Sequence, residues 1–341
     1  MSPVKTDLLI IGAGPVGLFT VFEAGLLKMR CHLLDVLLHI GGQLTEIYPK
    51  KPIYDIPGFP IILASDLVYN LKQQIEPFKP TFTLGERADR IESNGDGSFR
   101  VFGHKGSIID AKVIVIAGGL GCFEPRKPPI PGIEKFEGKG VDYFIKQPED
   151  YAGQRVVIAG GGDSALDWTI ELADVAKSVT LIHRRTSFRG APDSVDKVVK
   201  LVKDKKVNLI TNASVIDLEG KDKLETAILD HNEEKVRLAT DYFLPLFGLT
   251  PKLGPIAEWG LGIDKTAIQV DPLDYSTNIK GIYAVGDINT YPGKLKLILC
   301  GFHEATLMCQ SAFHHIYPEQ KLSFKYTTVT GIEGFSENAM E

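Results

Sequence analysis

The chain has 341 residues and a mass of 37.4 kDa, enough for two domains at roughly 100–200 residues each. Apolar residues make up 44% and charged residues 24%, ordinary for a globular chain, which excludes disordered, collagen-like and disulfide-scaffold classes. The 38 basic and 43 acidic residues leave a formal charge of −5, which offers no general attraction for nucleic acid or a membrane surface. Cys31, Cys122, Cys300 and Cys309 lie far apart, with no CxxC and no metal-ligand spacing, and the eight His show none either. Buried thiols in a reducing compartment are expected, so a cytoplasmic location. The apolar run Leu8 to Phe22 is interrupted by Gly12, Gly14, Pro15 and Gly17 and does not read as a signal peptide.

In chain order, Leu8-Leu9-Ile10-Ile11 is a short apolar run of the buried parallel-strand type. Gly12-Ala13-Gly14-Pro15-Val16-Gly17 follows, then a helix to about Lys28, then the strand Cys31 to Asp35, which ends on an acid. Lys112 to Ala117 is another buried-strand run, ending in Gly118-Gly119. The Pro-rich stretch 124–132 cannot be helix or central strand and reads as a linker between domains. The first grammar then repeats. Val156 to Ala159 is the strand and Gly160-Gly161-Gly162-Asp163-Ser164-Ala165 the turn. A helix to about Ala176 and the strand Val179 to Ile182 complete the unit. The chain crosses back near 243–254, and Gly281 to Asp287 and a helix over about 299–315 return it to the first domain. The fold class is therefore α/β, with two Rossmann-like dinucleotide-binding domains, the second inserted into a discontinuous first. The boundaries are read as 1–119 with 246–341, and 120–245, residues 318–341 forming a C-terminal extension.

Gly12 permits a tight turn, Gly14 lets backbone approach a pyrophosphate, and Gly17 allows close helix–strand packing, with Pro15 counted in the same cofactor-binding turn. The helix N-terminus offers free N–H groups to the anion. Asp35, 18 residues past Gly17, is placed to accept from ribose hydroxyls. In the second motif Gly160, Gly162, Asp163, Ser164 and Ala165 take the corresponding positions, but the strand-end acid is missing. His183, Arg184 and Arg185 stand there instead, with Arg189 beyond, and guanidinium groups match the 2′-phosphate of NADP. The first site then takes the other dinucleotide, FAD, and no Ser/His/Asp constellation or metal site competes with that reading. The Lys-rich run 197–206 can be a docking face for an acidic partner or the solvated side of an amphipathic helix, and the second is favoured by the spacing of Val198, Val199, Leu201 and Val202.

In order along the chain, GAGPVG, Gly41-Gly42-Gln43-Leu44, Ala117-Gly118-Gly119, GGGDSA, HRR and Gly286-Asp287 resemble the thioredoxin-reductase superfamily of flavoproteins. That superfamily's thioredoxin reductases carry a CxxC ahead of the second Gly motif, where Val141 to Ile145 here holds no cysteine. Residues 38–59 and the tail KYTTVTGIEGF are similar to the thioredoxin-reductase-type ferredoxin–NADP⁺ reductases. The resemblance implies FAD and NADP(H), hydride transfer from NADPH to flavin, one-electron exchange with ferredoxin or flavodoxin, and a homodimer. It implies Asp35 on the adenosine ribose, Gly42, Gln43 and Leu44 at the flavin, and Tyr48 stacked on one ring face. Ala88 and Phe123 would line the FAD site, and Asp287 would meet the ribityl chain. Tyr326 would cover the other face, with Thr328 at the reactive edge and Phe324 and Phe335 as alternative stacking residues. Another acceptor, or a non-catalytic redox sensor, remains open at this point, as does the direction of electron flow.

Overall fold

The computed structural model describes residues 2–121, 124–145, 147–250, 252–322, 327 and 331–335. The chain divides into two compact units, Met1–Cys122 with Pro251–Glu341, and Phe123–Thr250 between them. The helices are α1 (Pro15–Leu26), α2 (Gln43–Glu46), α3 (Ala64–Ile75), α4 (Asp163–Leu172), α5 (Pro192–Lys203) and α6 (Ile298–Ile316). Among the described residues no helix is long and apolar enough to cross a membrane.

The discontinuous unit is built on a seven-stranded sheet. Its centre is β1 (Val4–Ile11), paired in parallel with β2 (Cys31–Asp35) and with the strand Ile108–Ile116. Thr81–Leu84 extends the sheet beyond β2, and Ile282–Ala284 adds to Ile108–Ile116, both in parallel. Successive side chains of a strand point to opposite faces. Leu8, Ile10, Leu33, Val113 and Val115 accordingly share one core with Leu18 and Val21 of α1, Leu67 and Leu71 of α3, and Met308 and Ala312 of α6. Leu9, Ile11, Leu34, Ile114 and Ile116 face the other way, onto Phe99, Val101 and Trp259. Burial on both faces is why residues 8–11 and 113–116 are unbroken apolar runs, each large side chain contributing roughly 1.5–3 kcal/mol.

The inserted unit has a four-stranded parallel sheet in the order Val207–Thr211, Ser178–His183, Arg155–Ala159, Tyr242–Pro245. The spacing does not foretell its second layer, an antiparallel sheet of Ala213–Glu219, Thr226–His231 and Glu234–Ala239. Two further differences concern boundaries. The helix after the second Gly motif ends at Leu172, short of Ala176. The proline-rich stretch is partly ordered as strand, because Glu124–Pro125 pairs antiparallel with Leu249–Thr250. In α5 only Val198 is fully buried; Lys197 of α5 and Lys206 beyond its end are exposed and paired with Asp193 and Asp174.

Candidate functional site

The first glycine turn is held by backbone crowding. Gly12 lies at φ +112°, a conformation that L residues rarely adopt, and a Cβ there would strike the Ala117 carbonyl. A Cβ on Gly17 would drive into the carbonyl oxygen of Gly12, so α1 can begin this close to β1 only without a side chain. Gly14 is different. It is the N-cap of α1, has φ −72°, and a Cβ on it would meet nothing within 4 Å. With no side chain capping α1, the free N–H groups of its first turn stand beside open space.

Three other segments converge on this turn. Gly41 donates its N–H to Ala13 O at 2.8 Å, and a Cβ on Gly42 would lie 3.0 Å from Gly14 Cα. The Gln43 amide nitrogen would lie 3.3 Å from a Cβ on Gly119, so the first turn of α2 meets the end of the strand Ile108–Ile116. Gly286 packs against Val16 of α1, with Asp287 beside it in the short 3₁₀ turn Gly286–Ile288. Burial pushes the Asp287 carboxyl up while Lys296 and Lys294 pull it down. Tyr48 is close enough to feel that carboxylate, and burial with this charge pushes its phenol up to about 12.

Asp35 ends β2 buried. Its Oδ2 accepts from Ala13 N–H at 2.6 Å and its Oδ1 from Leu37 N–H at 2.8 Å, which ties the acid to the glycine turn. Burial raises its pKa and these N–H groups lower it. Each carboxylate oxygen still has a lone pair for a hydroxyl. Leu44 is buried in the core beneath α2. Ala88 lies in the apolar core on the Phe99 side of the sheet, in one cluster with Leu9, Ile11 and Leu34. Phe123, Tyr326, Thr328, Phe324 and Cys122 lie outside the described residues. Phe335 is described: its ring meets Phe78 edge-on at 6.2 Å, with the Arg30 guanidinium 5.4 Å from its centroid.

The second turn repeats the arrangement with one change. A Cβ on Gly160 would lie 2.5 Å from the Ala165 methyl and 2.8 Å from Leu246 O. Gly162, the N-cap of α4, has φ −102° and open space where a Cβ would be. A Cβ on Gly161 would strike the His183 ring. His183 is buried: its Nε2 lies 3.1 Å from Ser187 O and its ring stacks on Phe188 at 5.0 Å. Burial and the charges of Arg184 and Arg189 lower its pKa. Arg184, Arg185 and Arg189 are exposed, as is Ser164. Their loop is clamped to the turn where Arg189 donates its N–H to Gly161 O at 2.7 Å, and Ala191 donates to Asp163 Oδ1 at 2.7 Å. His183 thus supports the arginine loop from within.

Sequence reasoning missed a buried polar group behind Asp287. Glu304 on α6 is fully buried and paired with Lys294, itself 6% exposed. The one legible signal was a lone acid in an apolar helix. Among the described residues no group of His, Cys, Asp or Glu could hold a metal ion.

Two βαβ glycine turns with open N-caps define a two-nucleotide α/β protein. The chain belongs to the pyridine nucleotide-disulphide oxidoreductase family, whose model matches residues 6–305. It is 62% identical over 342 residues to ferredoxin–NADP reductase 1 of Christiangramia forsetii, covering 99% of this chain and 97% of that one. It is 62% identical over 339 residues to the ferredoxin–NADP reductase of Flavobacterium johnsoniae, with the same coverage. Among solved structures, Lactococcus lactis thioredoxin reductase superposes with a TM-score of 0.80 at 25% identity, over 92% of this chain and 100% of that one.

Proposed function

We propose that the protein is an FAD-dependent reductase that moves electrons between NADPH and ferredoxin or flavodoxin. The observation that carries the reading is the contrast between the two strand ends: buried Asp35 at one glycine turn, exposed Arg184, Arg185 and Arg189 at the other. A carboxylate accepts from a bare ribose, whereas guanidinium groups fit a 2′-phosphate. Both turns fit a dinucleotide, because a Cβ at Gly14 or at Gly162 would project into open space beside an uncapped helix N-terminus. In this reading the discontinuous unit holds FAD and the inserted unit holds NADP(H).

Gly12, Gly14, Pro15 and Gly17 shape the pyrophosphate cradle, and Asp35 orients the adenosine ribose. Gly42 keeps the second loop against the first, and Gln43, Tyr48 and Asp287 surround the flavin. Gly160, Gly162, Asp163, Ser164 and Ala165 build the NADPH cradle, and the arginines select the phosphate. When bound, the nicotinamide supplies a hydride and the flavin converts two-electron into one-electron transfer. The relatives that share about three-fifths of this sequence carry the name ferredoxin–NADP reductase, and Val141 to Ile145 holds no cysteine for disulfide exchange. In this reading Tyr326 covers the second ring face with Thr328 at the reactive edge, and the protein works as a cytoplasmic homodimer. The test is NADPH-dependent ferricyanide reduction followed by ferredoxin-dependent cytochrome c reduction. Activity in the first assay alone would overturn the ferredoxin assignment.

A further inference from the structure

The turn Gly286–Ile288 is gripped from behind by a single carboxylate. Glu304 Oε2 accepts from Gly286 N–H at 2.7 Å and from Asn289 Nδ2 at 2.9 Å. Its Oε1 accepts from Tyr291 OH at 2.9 Å and from the Lys294 ammonium. Lys294 also donates to Gly286 O at 2.9 Å, so the ion pair holds both the N–H and the C=O of Gly286. Gly286 sits at φ +78°, and Asn289 donates to Ala284 O at 2.9 Å, which fixes the strand entering the turn. Tyr291 is braced edge-on by Tyr275 at 5.7 Å.

Glu304 is 0% exposed and Lys294 6%. Burying two charges in one small network is costly unless both are paired and hydrogen-bonded, and removal of one leaves the other uncompensated. An apolar pair in their place would leave Gly286 N–H, Asn289 Nδ2 and Tyr291 OH without this acceptor. What the charges add is a fixed, balanced field under Asp287, where Lys294, Lys296, Glu304 and Tyr48 are the titratable groups that act on it.

We propose that Glu304 and Lys294 are a positioning pair for the FAD site: together they fix the Gly286-Asp287 turn and cancel each other's charge beneath the flavin. The inference rests on the FAD reading above. It predicts opposite electrostatic effects from the two halves of the pair. Glu304→Gln leaves a cation below the site and raises the flavin midpoint potential; Lys294→Met leaves an anion and lowers it. A tenfold change in the redox equilibrium is ~30 mV for a two-electron couple, and a shift of about that size is expected in each variant. FAD dissociation constants rise about tenfold in both, because the turn loosens. The double variant Glu304→Gln/Lys294→Met returns the potential towards the parent value.

The experiment is spectroelectrochemical titration of the four flavoproteins, with FAD binding followed by flavin fluorescence. Potentials that move the same way in both single variants, with the double variant worse than either, would reduce the pair to structural filler and overturn the proposal. Glu304→Asp keeps the charge and shortens the reach, so it is expected to weaken FAD binding without moving the potential; a shifted potential there also counts against the pair. Hydrogen exchange over residues 286–297 in the FAD-free protein separates the two levels of inference. Parent protein that binds no FAD refutes the functional reading. Unchanged exchange in Glu304→Gln refutes the positioning role whether or not FAD binds.

Discussion

Gly14→Ala separates binding from folding. The position has φ −72° and ψ −178°, which any L residue adopts, and the added methyl meets nothing within 4 Å. Replacing Gly by Ala at a compatible backbone position stabilises by about 0.4–1 kcal/mol through the unfolded chain. Ala is a poorer N-cap than Gly by a comparable amount. The two effects offset, and FAD-free Gly14→Ala is expected within about 1 kcal/mol of the parent, a melting shift of at most roughly 4 °C. The methyl occupies the space beside the α1 N-terminus, so the FAD dissociation constant should rise at least tenfold, a loss of ~1.4 kcal/mol. At FAD one hundred times the parent's dissociation constant, ligand stabilisation then falls from ~2.7 to ~1.4 kcal/mol. Differential scanning fluorimetry with and without FAD reads both quantities. Gly17→Ala is the control, because its methyl drives into Gly12 O and costs about 1–3 kcal/mol or more without any ligand. If Gly14→Ala binds FAD as the parent does, the open space at Gly14 is not where the pyrophosphate lies. If it destabilises the FAD-free protein as much as Gly17→Ala does, the glycine is there for packing.

Replacing Arg184 and Arg185 with Ala is expected to raise the KM for NADPH by tenfold or more and leave that for NADH unchanged, since charge-assisted bonds contribute ~1.5–3 kcal/mol each. Gly162→Ala, in contrast, should raise both, because the pyrophosphate is common to the two cofactors; steady-state kinetics with each nucleotide distinguishes them. The Arg155 guanidinium beside Asp241 holds that carboxyl at about 2, below the ordinary 3.8. Its contribution is present above about pH 4 and lost as pH falls towards 2, so urea unfolding of Asp241→Asn should converge on the parent at pH 2 and fall short of it at pH 6. Cys31 and Cys309 are buried thiols pushed up by burial, while Cys300 is half-buried. Alkylation followed by mass spectrometry should mark Cys300 in the native protein and reach Cys31 and Cys309 only on unfolding.

The sequence by itself determined both glycine turns, because each depends on dihedral freedom and helix-start chemistry within six residues. The acid at Asp35 and the arginines at 184 and 185 were legible for the same reason: a parallel strand of fixed rise carries its last residue to the edge of the turn. The α/β class also followed from local pattern, since strands buried on both faces must be continuous apolar runs. Convergence was decided by the tertiary structure. Gly42 reaches Gly14, Gln43 reaches Gly119 and Gly286 reaches Val16 only when strands from distant parts of the chain align in one sheet. The inward turn of His183 depends on the absence of a Cβ at Gly161 and on Phe188, which neither motif spells out. The contacts of Phe335 with Phe78 and Arg30 join distant parts of the chain and are not legible in the tail itself. Glu304 and Lys294 were illegible as a pair, because a buried charge is tolerated only once its partner is in place, and that partner is supplied by a loop whose path the helix alone does not dictate.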